Sequence, residues 1–564
     1  MEQTGAEIIW ECLIREGVDT VFGYPGGAIM LAYDAMLKYP IHHVLVRHEQ
    51  GAAHAADGYA RASGKVGVAI ATSGPGATNL VTGLVTAMMD SVPIVCITGQ
   101  VPSHLIGGDA FQETDVTGIT LPITKHNFLV TCVEELAPAL HQAFYIARSG
   151  RPGPVLVDIC KNAQIESMEF VYPDKIELPG YKPPRSVPSA DLKQAAVLIA
   201  EAKRPVILAG AGVLKSGAMQ EVRDFAEKTQ TPVAMTLLGL GGLPASHPLS
   251  LGMMGMHGEA CANNAIQSAD LLLAFGMRFD DRVTGTLDTY ARRAKKIHIE
   301  IDPTEINKNV KVDAPLVGDL KTVLNQLLPI VDPLDHEEWL DDIAEWKADT
   351  KKRDILSWPD DGLLYAAQVI RSVWSHTKGD SVVTTDVGQH QMWTAQYYYF
   401  ERPFRWLTSG GAGTMGYGFP AAIGAWFASE NKEEPVWAVV GDGGFQMTLC
   451  ELGTAKQENA NVKIVVINNS YLGMVRQWQE FFFEKRYSAV QMQNPDFAKL
   501  AEAYDIPARK ITQTDQVADA LAFANETNGP VLLEFVVEAE EAVYPMVPAG
   551  AALDDMLRRP IRRK

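Results

Sequence analysis

The sequence is poor in cysteine: its 564 residues contain six, and no two of them form a Cys-X-X-Cys pair. A chain of this length can bury a large apolar core, so it does not need a disulfide scaffold for stability. Several cysteines lie in apolar runs, as Cys96 does within Ile94–Ile97. We therefore expect buried free thiols, which are typical of a protein in a reducing cytosol.

Two further absences narrow the class of protein. No window of about 18 consecutive apolar residues occurs, which argues against a membrane-spanning helix. The N-terminus, Met1–Gly5, has no basic region followed by an apolar core, so we expect no signal peptide and a cytoplasmic location.

Positive charge is also in deficit, since 49 Lys and Arg face 68 Asp and Glu and give a net charge of −19. This balance argues against nucleic acid or an anionic membrane as the main partner. It does not exclude small anionic ligands that are held locally.

What the sequence does contain is three blocks in which short apolar strands alternate with helices. Near-continuous apolar strands separated by helices predict parallel sheets that are covered on both faces. The predicted fold class is therefore α/β, with three doubly wound domains and mostly parallel sheets. The predicted segments are an N-terminal domain at 1–165, a linker at 166–188, a central domain at 189–335, a connector at 336–360, a C-terminal domain at 361–535 and a tail at 536–564.

The two connecting segments have different compositions. Five prolines fall within residues 166–188, which predicts an extended linker. The connector is highly charged, and Trp339, Ile343 and Trp346 recur in it at helical spacing. This pattern predicts a surface helix between the second and third domains.

The most informative motif is Gly-Asp-Gly at 441–443, followed after 24 residues by Asn-Asn at 468–469. Each half follows an apolar strand, at Val436–Val440 and Lys463–Ile467. The carboxyl ends of parallel strands meet at one edge of a sheet, so Asp442 and Asn469 can converge there. Oxygen ligands suit Mg²⁺, glycines let phosphates approach the backbone, and a helix expected after Gly444 would direct its N-terminus at them.

A chance Gly-Asp-Gly turn is the alternative, but this arrangement resembles the thiamine-diphosphate binding motif of thiamine-dependent enzymes. The resemblance implies Mg²⁺ held by Asp442, Asn469 and the main-chain carbonyl of Tyr471. Such enzymes also need a carboxyl group that bonds the cofactor's aminopyrimidine. We predict that Glu49 has this role, at the end of a strand Val44–Glu49, because Arg47–Ala53 closely resembles the family's catalytic glutamate segment. The alternative is a glutamate that merely stabilises a helix N-terminus.

The resemblance covers essentially the whole chain, which is similar to the catalytic subunits of the acetohydroxyacid synthase (acetolactate synthase) family. It implies a pyrimidine-binding N-terminal domain, a central FAD-binding domain and a diphosphate-binding C-terminal domain. The supporting segments are Phe22–Ala28, Ala110–Thr114, Gly276–Gly285, Gly413–Gly418, Gly473–Trp478 and Tyr544–Gly550.

Individual roles follow from matching positions. Met415 resembles the apolar residue that supports the bent cofactor, although a methionine is more often simple core. Gln112 resembles the polar residue that faces the reacting centre, and Phe111 lies beside it in the substrate region. Arg282 resembles the arginine that pairs with the carboxylate of the second 2-keto acid. Trp478 resembles the indole that favours 2-ketobutyrate over pyruvate. The alternative for Arg282 is a surface salt bridge, and the alternative for Trp478 is a core tryptophan.

The resemblance also implies the cofactor contacts. Thiamine diphosphate contacts are expected from Glu49, Val387, Gly388, Gln389, His390, Gly413, Met415, Gly441, Asp442, Gly443, Gly444, Asn469, Tyr471, Gly473 and Met474. FAD contacts are expected from Arg151, Gly210, Gly212, His257, Gly258, Asn263, Arg278, Asp280, Glu300, Asp302 and Asp319. In the family the FAD takes no net redox part.

The implied reaction decarboxylates pyruvate and transfers the hydroxyethyl group to a second pyruvate or to 2-ketobutyrate. The products, 2-acetolactate and 2-aceto-2-hydroxybutyrate, feed valine, leucine and isoleucine synthesis. Glu49 and Met415 lie in domains that meet across a dimer interface in this family, so we expect a homodimer or homotetramer. A separate small regulatory subunit is left open. The alternatives are another thiamine-dependent enzyme, such as a pyruvate oxidase, a glyoxylate carboligase or an FAD-free synthase, and a catalytically silent protein of the same fold.

Overall fold

The computed structural model describes residues 2–176, 178–183 and 187–561. Parts of the predicted linker (residue 177 and residues 184–186) and of the predicted tail (residues 562–564) therefore lie outside the described residues, as does Met1. No helix in the described part of the chain is both long enough and apolar enough to cross a membrane.

Three six-stranded sheets form the architecture, and every pairing within them is parallel. The predicted α/β fold class is confirmed. In spatial order, the first sheet contains His42–Leu45, Thr20–Gly23, Gly67–Ala71, Ile94–Gln100, Val155–Cys160 and His126–Val130; the second contains Ser250–Met253, Val233–Met235, Pro205–Ala209, Leu271–Phe275, Lys295–Glu300 and Ala314–Val317; the third contains Trp406–Thr408, Val383–Thr385, Val436–Gly441, Val462–Asn468, Val531–Val536 and Ala508–Ile511.

Helices cover both faces of each sheet, because the strands are apolar on both sides and must be buried. Around the first sheet lie Gly5–Arg15, Met30–Met36, Glu49–Ser63, Pro75–Thr78, Val81–Asp90, Val116–Thr120, Leu136–Arg148 and Lys161–Ile165. Around the second lie Ser189–Glu201, Ala211–Lys215, Met219–Thr229, Ala260–Ser268, Asp281–Thr284 and Leu320–Leu327. Around the third lie Ala366–Thr377, Gln389–Tyr397, Gly418–Ala428, Asp442–Thr448, Leu452–Gln457, Gly473–Phe482, Phe497–Glu502 and Val517–Glu526.

The first and third sheets are joined by a helix pair, Glu49–Ser63 against Gly418–Ala428. The two backbones approach so closely that a side chain at Gly424 would collide with the main chain of Ala55, and one at Gly58 with that of Ala421. Small residues on both helices permit this contact, which fixes the two domains of one chain relative to each other.

Two boundaries near the predicted site differ from expectation. The strand expected to run to Glu49 ends at Leu45, and Glu49 is instead the first residue of the helix Glu49–Ser63. His48 is the reason, since its extended backbone and its side chain, which accepts a hydrogen bond from Gln50 N, cap that helix. The helix expected after Gly444 already begins at Asp442, so Gly443 and Gly444 lie within its first turn.

The connector contains a helix, as predicted, whereas the linker contains an element that was not predicted. The connector forms the helix Glu337–Lys352, which buries Trp339 and Ile343, and the indole of Trp339 donates to the carbonyl of Pro205. The predicted linker contains a short strand, Ser167–Glu169, that pairs antiparallel with Glu2–Thr4 and was not expected.

All six cysteines are free, as predicted. Four of them, Cys12, Cys96, Cys160 and Cys261, are buried. The expectation of burial was wrong for Cys132 and Cys450, which are partly exposed. Cys132 immediately precedes the 3₁₀ turn Val133–Glu135, and Cys450 is the middle residue of the 3₁₀ turn Leu449–Glu451.

Candidate active site

Asp442 lies at the carboxyl edge of the third sheet, where its strand runs parallel to Val462–Asn468. Its carboxylate is buried and accepts hydrogen bonds from Gly443 N (3.0 Å), Ser470 N (2.9 Å) and Asn494 Nδ2 (2.7 Å). Burial raises the pKa of Asp442 to about 6, although these donors act in the opposite direction. The side chain is therefore fixed in place and aimed at the turn after the neighbouring strand.

That turn contains the predicted asparagine. Asn469 Oδ1 accepts from Tyr471 N at 3.1 Å, and its Nδ2 donates to Gln389 Oε1 at 3.2 Å. Ser470 has a left-handed backbone, with φ +57°, which reverses the chain between Asn469 and Tyr471. The turn thus places Asp442, Asn469 and the main chain of Tyr471 around one small region.

Glycines surround this region because no side chain would fit. A Cβ at Gly441 would lie 2.7 Å from the His390 ring, one at Gly444 would collide with the Asp386 carboxylate, and one at Gly473 would collide with Gln389. His390 and Asp386 are bonded to each other, Nε2 to Oδ1, at 2.8 Å. These side chains therefore pack directly against the backbone at the start of the helix Asp442–Thr448.

Glu49 belongs to the N-terminal domain and is nine-tenths buried. Asn79 fixes its carboxylate by donating from Nδ2 to Glu49 Oε2 at 2.9 Å. Gln112, whose backbone is left-handed with φ +60°, packs against Gly74. A Cβ built at Gly74 would lie 3.0 Å from the Gln112 Cβ, and Gly74 is two residues from Gly76. Glu49 Oε1 in turn lies 3.3 Å from a Cβ built at Gly76. Phe111, beside Gln112, is 88% exposed.

Met415 lies in the C-terminal domain, with Asp442 and Asn469. Its Cε lies 3.4 Å from a Cβ built at Gly443, so its side chain reaches the start of the helix that Asp442 begins. The structure therefore brings Glu49 and Gln112 together in one domain, and Met415, Asp442 and Asn469 together in another.

A cavity of about 800 Å³ lies between the central domain and the two others. Thirteen of the residues predicted for cofactors and substrate line it: Arg151, Gly212, His257, Arg278, Asp280, Arg282, Glu300, Asp319, Val387, Gly388, Gly413, Met474 and Trp478. Other lining residues, among them Ser91, Lys215, Gln391 and Met392, were not predicted from the sequence. They carry no recognisable local motif.

The other predicted FAD residues lie behind the cavity wall and support it. Asn263 bonds both the N–H and the carbonyl of Gly255, each at 2.9 Å. Asp302 lies 3.4 Å from the Arg151 guanidinium. Gly210 and Gly258 permit close backbone contacts with Gly276 and Met254, respectively.

Arg151 is the centre of one charged cluster at the cavity wall. Its guanidinium pairs with Glu305 at 2.8 Å and donates from Nε to Ser91 Oγ at 2.8 Å. Burial raises the pKa of Glu300 to about 7 and lowers that of His257 to about 4. His257 is therefore neutral at physiological pH, and the cations of this wall are its arginines and Lys215. Glu305, which is buried and holds Arg151, was not predicted individually, although it lies within residues 300–319, where the resemblance implies FAD contacts.

Arg282, from the central domain, and Trp478, from the C-terminal domain, both line this cavity. The Arg282 side chain is 63% exposed, and its nearest ion-pair contact, to the adjacent Asp281, is long at 3.8 Å. Trp478 packs against Phe482 with 5.2 Å between ring centroids. A guanidinium that lacks a short carboxylate contact can receive a carboxylate ligand, and an indole in the same cavity offers an apolar surface to such a ligand.

Comparison with known proteins gives the class. Family models of the N-terminal thiamine-pyrophosphate-binding, central, and C-terminal thiamine-pyrophosphate-binding domains of thiamine pyrophosphate enzymes match residues 3–119, 192–327 and 386–535. The fold and the arrangement at Asp442 and Asn469 thus define a thiamine pyrophosphate enzyme.

Relatives that align over nearly the whole chain identify the family within this class of enzyme. The chain is 50% identical to an acetolactate synthase large subunit of Corynebacterium glutamicum, an alignment that covers 98% of this chain and 90% of that protein. It is 47% identical to the large subunit of acetolactate synthase isozyme 2 of Escherichia coli, covering 98% and 99%, and 48% identical to a probable acetolactate synthase large subunit of Methanocaldococcus jannaschii, covering 99% and 95%. The chain belongs to the family of acetolactate synthase large subunits.

Proposed function

We propose that the protein decarboxylates pyruvate and transfers the resulting two-carbon unit to a second 2-keto acid. With pyruvate as acceptor the product is 2-acetolactate, and with 2-ketobutyrate it is 2-aceto-2-hydroxybutyrate, the precursors of the branched-chain amino acids. The observation that carries the proposal is that Arg282 and Trp478 line one cavity together with Val387, Gly388 and Met474 of the cofactor-binding region. A cation that can bind a carboxylate thus lines the same cavity as three predicted cofactor contacts.

The residues at the edge of the third sheet fit thiamine diphosphate with Mg²⁺. Asp442, Asn469 and the Tyr471 carbonyl offer three oxygen donors around one turn, as a hard cation requires. In the described ranges no group of three or more His, Cys, Asp or Glu side chains is placed to hold a metal. A cation bound here would complete its coordination with diphosphate oxygens.

When bound, thiamine diphosphate supplies a nucleophilic thiazolium carbon and accepts the electron pair that carbon dioxide leaves behind. Glu49 would hold a proton at the pyrimidine ring nitrogen, and Asn79 keeps that carboxyl group oriented. Met415 would support the cofactor from below, and Gln112 would offer an amide to oxygen atoms of the substrate.

The central cavity fits FAD in size and in chemistry. A volume of about 800 Å³ suits a large cofactor, and Arg151 supplies a partly buried cation for a diphosphate. We assign FAD to this cavity in a structural, non-redox role. The proposed contacts are the FAD residues predicted from the sequence, with Asn263 and Asp302 acting through the backbone and through Arg151.

The proposed organisation divides the chain at the linker 166–188 and the connector 336–360. Residues 1–165 would bind the pyrimidine, 189–335 the FAD, and 361–535 the diphosphate and Mg²⁺, while 536–564 form a tail. Glu49 belongs to the N-terminal domain and Met415 to the C-terminal domain, and such domains meet across a dimer interface in this family. This separation supports a cofactor site that is completed by a second copy of the chain, in a homodimer or homotetramer in the cytoplasm.

Replacing Trp478 with leucine is expected to shift the acceptor preference towards pyruvate. The indole would contact the extra methyl group of 2-ketobutyrate, a contact worth about 1–3 kcal/mol and hence roughly 10- to 200-fold in preference. Product ratios from mixed pyruvate and 2-ketobutyrate would measure the change. The matched control is Trp426→Leu, at a mostly buried tryptophan of the same domain whose indole donates to the carbonyl of Lys432. An unchanged ratio in the Trp478 variant would remove this residue from acceptor selection.

The proposed reaction is tested by product analysis of the purified protein with pyruvate, thiamine diphosphate, Mg²⁺ and FAD. We expect a yellow protein that releases carbon dioxide and forms acetolactate without consuming oxygen. Acetate formation with oxygen uptake, or no carbon dioxide at all, would contradict it. A second run with a candidate small subunit would test for a regulatory partner.

A further inference from the structure

A buried carboxylate of the C-terminal domain contacts the main chain that leads into Glu49. Glu451 is 1% exposed and ends the 3₁₀ turn that follows the helix Asp442–Thr448. Its Oε1 accepts from the backbone N–H of Arg47 and of His48, both at 3.1 Å, and its Oε2 lies 3.2 Å from Arg47 N. These two residues immediately precede Glu49, so the position of Glu49 depends on a side chain from another domain of the same chain.

The surroundings of Glu451 are built for this contact. Thr454 donates its hydroxyl to the carboxylate, and the Arg47 guanidinium donates to the carbonyls of Leu45 (2.7 Å) and Gly453 (3.2 Å). A side chain at Gly51 would collide with the Glu451 carboxylate. The two domains therefore meet here through satisfied polar groups and a glycine, rather than through apolar packing.

A second carboxylate makes the equivalent contact in the opposite direction. Asp90, at the end of the N-terminal domain helix Val81–Asp90, accepts from the backbone N–H of Gly410 (3.0 Å) and of Gly411 (2.7 Å). Its side chain is fully buried. Arg61 donates to Asp90 Oδ2 at 2.8 Å and to the Thr408 carbonyl at 2.9 Å. These contacts hold the start of the segment 409–417, which carries Met415.

The rest of that segment is attached to the same domain. The hydroxyls of Thr86 and Thr414 are 2.7 Å apart, next to Met415. At the far end, the Tyr417 hydroxyl donates to Asp57 at 2.6 Å. The N-terminal domain thus fixes the segment on both sides of Met415.

We propose that Glu451 and Asp90 form a reciprocal interdomain clasp, in which each is a positioning residue for the cofactor contact of the other domain. Glu451 positions Glu49, and Asp90 positions Met415. The proposal rests on the proposed function, because it takes these two residues to be cofactor contacts. A carboxylate suits the task because it accepts two N–H bonds at once, and displacement of a reacting group by about 1 Å can cost as much as 100-fold in rate.

The clasp is tested with Glu451→Gln and Asp90→Asn in the full-length holoenzyme. Each amide keeps the shape of the side chain but turns an N–H group towards a backbone N–H. Hydrogen–deuterium exchange at C2 of bound thiamine diphosphate, read by NMR after acid quench, reports cofactor activation without any 2-keto acid. We expect exchange and kcat to fall together by about tenfold or more in both variants, while the KM for pyruvate changes by less than about threefold.

Glu16→Gln is the matched control. Glu16 is a carboxylate of the N-terminal domain whose side chain is 3% exposed and pairs with Arg148 at 3.0 Å and His141 at 2.7 Å, and it holds no predicted cofactor residue. We expect this variant to lose thermal stability but to keep the parent's exchange rate. Gly51→Ala is a second test that removes no charge, since its methyl group displaces the Glu451 carboxylate, and it should slow exchange as Glu451→Gln does.

The outcomes distinguish a failure of the clasp from a failure of the proposed function. A parent protein that does not accelerate C2 exchange would overturn the proposed function and the clasp with it. A parent that does, together with folded Glu451→Gln, Asp90→Asn and Gly51→Ala variants that exchange at the parent's rate, would overturn the clasp alone. Equal slowing in the Glu16→Gln control would also overturn it, because the effect would then be general destabilisation.

Discussion

Replacing Glu49 with glutamine is expected to lower acetolactate formation by at least about a hundredfold, the lower range for loss of a positioned acid–base group. Glutamine has the same shape and can still accept from Asn79, which holds Glu49 Oε2 at 2.9 Å. It cannot hold or share a proton at the cofactor's ring nitrogen. The expected loss is therefore in kcat, and steady-state acetolactate assays with saturating thiamine diphosphate and Mg²⁺ would measure it.

Two controls test whether a loss of activity comes from the missing carboxylate rather than from a change in folding. Circular dichroism and thermal unfolding should match the parent, because Glu49 is the first residue of its helix and its shape is conserved. The matched control is Glu11→Gln, at a half-buried helical glutamate whose partner is Arg15, four residues along the same helix; its activity should be unchanged. A Glu49→Gln variant that forms acetolactate at the parent's rate would exclude the proposed role.

The fold could be predicted because its information is local. Strands such as Val436–Gly441 and Val462–Asn468 are buried along their whole length, so they appear in the sequence as continuous apolar runs. Two such runs with Gly-Asp and Asn-Asn at their ends require only parallel pairing to bring Asp442 near Asn469. The structure has that pairing, with Gly441 opposite Ile467.

What the sequence did not reveal depends on residues that are distant along the chain. Asn494, which bonds both Asp442 and Asn468, lies 52 residues from the former and carries no motif. Glu305 meets Arg151, and Glu451 meets Arg47, only because separate domains pack together. A buried carboxylate is not distinguishable by pattern from an exposed one, so such partners required the structure.

Local capping also shifted the ends of elements. The pattern Val44–Glu49 is apolar enough at its start to continue as a strand, but His48 caps a helix and makes Glu49 its first residue. This places the Glu49 carboxylate at a helix N-terminus, where backbone N–H groups favour negative charge. The two interpretations of Glu49 that the sequence left open, a helix-terminal glutamate and a cofactor contact, are therefore compatible.

Asp442→Asn is expected to raise the Mg²⁺ concentration required for thiamine diphosphate binding by about a hundredfold. Asparagine preserves the side-chain shape and an acceptor for Ser470 N, which lies 2.9 Å from Asp442 Oδ2. It removes the only carboxylate among the three proposed ligands, and loss of even an outer-shell partner costs about 10- to 100-fold in metal affinity. The test is titration of the metal-free protein with Mg²⁺ at fixed thiamine diphosphate, followed by tryptophan fluorescence and by acetolactate formation.

The matched control is Asp496→Asn, an aspartate of the same domain that caps the helix Phe497–Glu502 by accepting from Lys499 N at 3.1 Å. It should leave the Mg²⁺ requirement unchanged. High Mg²⁺ should restore part of the activity of Asp442→Asn, because Asn469, the Tyr471 carbonyl and the diphosphate would still supply oxygen ligands. Addition of Mg²⁺ cannot restore Glu49→Gln, whose defect lies in proton handling. If Asp442→Asn bound thiamine diphosphate with the parent's Mg²⁺ dependence, Asp442 would not be a ligand of the cation.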